Sequence, residues 1–336
     1  MSAFLGAAGV FALAAVGQIQ PPYQVVVRDA GAGGYQAFPD ICRLSNGELL
    51  CVFYAGYGHV SLPNESLPRG ARICAVRSSD EGRTWSDPTV VVDTPLDDRD
   101  PSVTQLSDGR LLCNFFTYTE AAGFHVAVVE SNDLGKTWSE PHFPEVAQQG
   151  NFACSAPITE LPSGELLLPV YYEIPSSAKA GLLRSFDGGR TWPELTIIDH
   201  TSTHRHDAEP HIIRLPDGRL FTALRPCMCL AFSSDQGHTW TVREAGFPGH
   251  CPHALVHSSG LLLLAHRLPE TSLHLSADLG QTWQGPFVLD HVGGAYPSMV
   301  ELRDGVVLCV YYEEGPGSAI RAVRFKPRPD GIDLVP

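Results

Sequence analysis

Basic residues are scarce. Lys and Arg number 23 against 37 Asp and Glu, and the formal net charge is −14. No basic stripe is visible, which excludes a nucleic-acid partner. A small anionic substrate stays open, because a few local arginines can dominate one pocket. Helix-like stretches are scarce too, since 32 glycines and 27 prolines imply many turns. Zinc-site spacing is missing from the nine cysteines; Cys227-x-Cys229 stands alone, and no metal or cofactor is expected. The longest apolar run, AFLGAAGVFALAAV at residues 3–16, is too short for a transmembrane helix. It has the core of a signal peptide without the basic start, and small residues follow it. Residues 1–20 thus read as a signal peptide or a disordered N-terminus, and residues 21–330 as one domain. A secreted or periplasmic protein is expected, with no membrane insertion of the mature domain. Oligomeric state leaves no signal.

What is present is repetitive. All five tryptophans fall in one pattern: SSDEGRTW from Ser78, SNDLGKTW from Ser131, SFDGGRTW from Ser185, SSDQGHTW from Ser233 and SADLGQTW from Ser276. A second repeat reads proline, alternating apolar residues, a Gly turn and an apolar run. It starts at Pro39, Pro101, Pro157, Pro210, Pro252 and Pro297, at spacings of 42 to 62 residues. Each copy is a hairpin signal, and the period is that of propeller blades. With one short strand before and one after each box, every blade has four strands, A to D. The sixth hairpin has no box after it, and YQVVVRD at residues 23–29 is the candidate to close the ring. The expected fold is all-β: a six-bladed β-propeller of four-stranded antiparallel blades, closed by an N-terminal strand. Cys51, Cys113 and Cys309 repeat at one strand position, so they read as buried residues, not disulfide partners.

The boxes are frame. Their Asp can pin a turn, their Gly can take positive φ, and their Trp can fill a blade seam. The opposite face holds two rings of positions that are not repetitive. One precedes each strand-A proline: Phe38, Asp100, Ala156, Glu209, Cys251 and Tyr296. The other ends strand B: Tyr54, Phe116, Tyr171, Arg225, Arg267 and Tyr312. Arg225 and Arg267 in adjacent blades make a carboxylate clamp. A Glu209 carboxylate near Tyr296 can take its proton and make the phenolate a nucleophile.

Here the chain resembles a known family. The boxes are similar to the Asp-box (BNR) repeats of the sialidase superfamily, over nearly the whole chain. Glu209 looks like the family's glutamate that supports the nucleophile, Arg225 and Arg267 like two arginines of its triad, and Tyr296 like its tyrosine nucleophile. The resemblance implies retaining hydrolysis of a terminal α-sialoside in an acidic glycan. A tyrosine suits that substrate, whose anomeric carbon bears a carboxylate. The first triad arginine is missing: Ala37 stands two before Pro39, where the family has Arg. The usual acid/base aspartate is missing from the next loop. Blade two offers Arg99 for the clamp and Asp100 as acid/base, with His59 a second candidate. Alternatively, PLDDRDP is a solvated acidic loop with an internal ion pair. His206, beside Asp207 and Glu209, is expected to line the funnel among other histidines (His204, His211, His250, His253). Glu173 and Glu313 would orient arginines. Two other functions fit the same rim: a polysaccharide lyase or other glycosidase acting on uronic-acid glycans, and a non-catalytic glycan-binding propeller.

Overall fold

The computed structural model describes residues 23–144, 151–174, 177–198, 208–226, 228–268, 270–315 and 317–336. The N-terminal apolar run, His204 and His206 lie outside these residues. Among the described residues the strands form six antiparallel sheets arranged as propeller blades. Blade one shows the plan: strand A Tyr35–Arg43, B Leu49–Gly56, C Arg72–Ser78 and D Thr89–Val92. Blade six has A, B and C at Gly294–Glu301, Val307–Glu313 and Ile320–Arg328. Its outer edge is completed from both ends of the chain. Gln24–Val27 pairs with the first half of strand C, and Gly331–Val335 pairs with the second half. The free edge that a last blade would expose is thereby paired.

Blade two departs from the four-strand plan. Among the described residues, its strands Asp97–Gln105, Leu111–Thr119 and Gly123–Ser131 are followed only by a single bridge between Val128 and His142. The segment after its box contains Pro141 and Pro144. Proline has no N–H to give a ladder, so pairing stops there.

Apolar packing follows the seams between blades. One cluster joins Cys51 and Phe53 of blade one to Leu308 and Val310 of blade six. Another joins Leu50 and Val52 to Cys113 and Phe115 of blade two. Four more close the remaining seams in turn. Cys51, Cys113 and Cys309 are buried in these clusters as free thiols.

The boxes hold each C–D turn by one repeated set of bonds. In the first, Gly82 N–H donates to Ser78 Oγ at 2.8 Å, and Ser78 Oγ–H donates to Asp80 Oδ1 at 2.8 Å. Thr84 N–H and Oγ1–H donate to the two Asp80 oxygens at 2.9 and 2.6 Å. Thr84's bonds are the main reason the Asp80 carboxyl is held down at about 2. Gly82 needs to be glycine: its φ is +77°, and a Cβ there would come within 2.7 Å of Leu308 in the next blade. Every box aspartate is therefore occupied in a turn, on the face away from the crown residues described below. Trp192 is fully buried in the seam between blades two and three, whereas Trp85, Trp138, Trp240 and Trp283 are half-buried. Trp192→Ala should therefore cost about 3–5 kcal/mol by urea unfolding. Trp138→Ala should cost clearly less, and equal losses would contradict this account of the seams.

Candidate active site

Five of the six positions before a strand-A proline share one backbone state. Phe38, Asp100, Glu209, Cys251 and Tyr296 have φ of 52°, 48°, 56°, 51° and 51°. None is glycine, so each conformation is strained. In blades one, two, five and six the strand register slips at this point, between Ala37 and Asp40, Arg99 and Ser102, His250 and His253, and Ala295 and Ser298. These are β-bulges, and a bulge re-aims one side chain out of the ladder. The strain thus has a consequence: a crown of re-aimed side chains at the start of strand A, of which Phe38 and Cys251 join the apolar packing. Ala156 of blade three is not among them; strand A there is broken into Phe152–Ala153 and Thr159–Glu160.

The crown brings Glu209 and Tyr296 together from blades four and six. Tyr296 Oη donates to Glu209 Oε1 at 2.6 Å. Arg225 Nε lies 2.8 Å from the other oxygen, Oε2. That contact is an ion pair whose angles fall short of a hydrogen bond. Glu209 is buried, and Arg225 and Tyr296 are half-buried. Burial raises the Tyr296 phenol well above its ordinary value, and the Glu209 charge raises it further. Burial lowers the Arg225 pKa, but Glu209 and Tyr296 outweigh it and hold the guanidinium firmly charged. Burial lowers the Arg267 pKa, and the acidic groups around it, Cys251, Tyr296, Tyr312 and Glu209, outweigh it. Burial lowers the His250 pKa, and Arg225 and Arg267 lower it further.

Asp97, Asp98, Arg99 and Asp100 are all buried, and all lie in strand A of blade two. The segment is not a solvated loop, though the internal ion pair exists. Arg99 contacts Asp97 Oδ2 at 3.2 Å, Asp100 Oδ1 at 3.8 Å and the His59 carbonyl. Its guanidinium also lies 5.3, 5.7 and 5.5 Å from the ring centres of Phe38, Tyr54 and Phe116. Burial drives the Asp100 carboxyl up to about 7; Arg99 opposes the rise and Glu209 adds to it. His59 is exposed at the rim, 3.2 Å from Tyr35 Oη, and burial and Arg99 lower its pKa.

Other residues enter without being singled out in the sequence. Burial raises the Tyr171 phenol well above its ordinary value, and Asp100 and Glu209 raise it further. Phe38 packs edge-on against Tyr296, Tyr54, Tyr312 and His59 at 5.0–5.3 Å, forming an aromatic wall beside the phenol. Both had a visible signal, namely membership of the two rings. Glu313 accepts from Arg321 on the neighbouring strand of blade six. Its neighbour Glu314 accepts from Tyr35 and Tyr312 at 2.8 and 2.6 Å. No group of three or more His, Cys, Asp or Glu among the described residues converges as a metal ion would need.

A family model described as a BNR repeat-like domain matches residues 101–309. A sialidase of Micromonospora viridifaciens is 25% identical over 358 residues of alignment, covering 89% of this chain and 53% of that protein. The chain thus spans about half the length of that curated relative. An anhydrosialidase of Macrobdella decora is 33% identical over 134 residues, 35% of this chain and 16% of that protein. Among solved structures, a protein of unknown function from Dyadobacter fermentans superposes with a TM-score of 0.78 at 24% identity. It covers 91% of this chain and 98% of its own. The NanB sialidase of Streptococcus pneumoniae superposes at 0.73 and 15% identity, covering 91% of this chain and 70% of its own. These superpositions speak to the fold.

The raised Asp100 pKa has a stability consequence. Unfolded, the carboxyl titrates near roughly 3.9; folded, near about 7. Between those values the folded state holds a proton that the unfolded state has released. Its contribution is complete below the unfolded pKa and is lost as pH rises through the folded one. Asp100→Asn cannot titrate. Its stability relative to wild type should rise by on the order of a few kcal/mol between pH 4 and pH 8. Parallel urea midpoints for the two proteins across that range would contradict the assignment.

Proposed function

The chain belongs to the BNR repeat-like domain family, of sialidase-type six-bladed propellers, and from that premise we propose that it is an exo-acting glycoside hydrolase. Its substrate would be a glycan ending in sialic acid or a related acidic sugar. The observation that carries this reading is the 2.6 Å bond from Tyr296 Oη to Glu209 Oε1, with Arg225 2.8 Å from Oε2. A buried phenol resists ionisation alone. A carboxylate already accepting its proton lets the oxygen become nucleophilic as it attacks. Arg225 then offsets the charge that would otherwise build on the pair.

In the proposed reaction, Arg225 and Arg267 hold the sugar carboxylate. Tyr296 Oη bonds to the anomeric carbon, and its proton passes to Glu209. Asp100, protonated, gives its proton to the departing glycosidic oxygen. Water then attacks the same carbon with Asp100 as base, Tyr296 leaves with its proton returned from Glu209, and configuration is retained. Arg99 is read as the group that restrains Asp100's pKa, and the buried aromatic cluster around Phe38 as packing that holds the Tyr296 ring in place. His59 and His250 stand at the entrance.

The wild type should release the fluorophore from a fluorogenic α-sialoside, and Tyr296→Phe should release none above background. Glu209→Gln should fall by about a hundredfold or more in kcat. Absence of wild-type turnover, with appearance of a near-UV-absorbing unsaturated product from a uronic-acid glycan, would replace this reading by the lyase one. The acid must be protonated to act, so turnover should decline as pH rises through about 7, the value at Asp100. Because Arg99 lowers that value, Arg99→Gln should move the basic limb to higher pH, and a limb that stays put would remove Asp100 from the role.

A further inference from the structure

One residue after each strand-A proline lies a third ring: Asp40, Ser102, Ile158, His211, His253 and Ser298. It sits two residues beyond the crown, where the chain has re-entered the strand. Five of the six are polar. Asp40, Ser102, His211 and Ser298 are buried, and His253 is half-buried.

Most of this ring is bonded to itself. Ser298 Oγ donates to Asp40 Oδ1 at 2.6 Å and accepts from Ile41 N–H at 3.2 Å. Val103 N–H donates to Asp40 Oδ2 at 2.8 Å. His253 Nε2 lies 3.2 Å from Ser298 Oγ. The His253 ring stacks on that of His211, with centres 4.1 Å apart, and Ala254 N–H donates to His211 Nδ1 at 2.9 Å. The chain of contacts runs through blades two, one, six, five and four.

A ring that only filled space would be apolar, as Ile158 is in blade three. Burying a carboxylate costs energy unless its oxygens are bonded. What a bonded carboxylate adds is direction, because its two oxygens fix two partners at set angles. Asp40's partners are informative. Ser298 is two residues from Tyr296, and Val103 is three residues from Asp100. One side chain therefore holds the strands just after two strained bulges, those that present Tyr296 and Asp100.

We propose that Asp40 is a positioning residue, which sets Tyr296 and Asp100 relative to each other through Ser298 and the Val103 N–H. The inference rests on the reading of those two residues as the reacting pair. It assigns Asp40 no contact with substrate.

The test is Asp40→Asn, which keeps the volume and removes one acceptor, beside Ser298→Ala. Two readouts are needed. On a fluorogenic α-sialoside, Asp40→Asn should lose kcat by on the order of a hundredfold with KM little changed, since small misplacements are that costly. In its crystal structure the Tyr296 to Glu209 contact should open beyond hydrogen-bond reach. A folded Asp40→Asn protein with wild-type kcat and that contact intact overturns the proposal, as does a parallel loss of thermal stability with kcat per folded molecule unchanged. If wild type does not cleave the sialoside, the functional reading fails, while the crystallographic readout still decides the positioning claim. If Asp40→Asn does not fold, Ser298→Ala carries both readouts.

Discussion

A left-handed backbone turn at a non-glycine residue is the constraint on which the site depends. It occurs at five of the six positions just before a strand-A proline. Each costs strain energy that the adjoining sheet must offset. What each supplies is a side chain re-aimed at the start of a strand: Phe38 and Cys251 into the apolar packing, Asp100, Glu209 and Tyr296 into the polar group. Without that turn, Glu209 and Tyr296 would follow the ladder's alternation, and their 2.6 Å bond would lack its geometry.

The rest of the molecule supports those turns. Apolar clusters at six seams keep blades in fixed relation. Strands from both chain ends close the last sheet, so blade six is held as firmly as the others. The boxes lock the far face with bonds internal to each turn, which leaves their aspartates no chemical freedom. Frame and candidate site are thereby separated: repeated residues serve the frame, and among the residues that diverge at equivalent positions Glu209, Arg225 and Tyr296 meet.

That separation explains what the sequence revealed. Repeats fixed the blade number, the box turns and the closing strand, because equivalent blades impose equivalent residues. The rings before proline and after strand B named Glu209, Arg225, Arg267, Tyr296 and Asp100, since divergence marks positions where packing stops dictating identity. Less legible was what each side chain meets. Arg99 reads in sequence as a clamp residue, yet it is buried against Asp97, Asp100 and three aromatic rings. Nothing in its spacing distinguishes a cation facing a ligand from one facing a carboxylate beneath it. That blade two has only a bridge in place of a fourth strand among its described residues depended on two prolines whose effect is local. Asp40 was hidden because its partners, Val103 and Ser298, are 63 and 258 residues away.

The central claim is that Tyr296 becomes covalently bonded to the sugar. The direct measurement is peptide mapping by mass spectrometry after treatment with a fluorinated sialosyl fluoride, which forms the glycosyl adduct readily and releases it slowly. The account predicts a glycosylated peptide containing Tyr296, lost in Tyr296→Phe. Label on another residue, or sialoside turnover with no adduct and full activity in Tyr296→Phe, would contradict it.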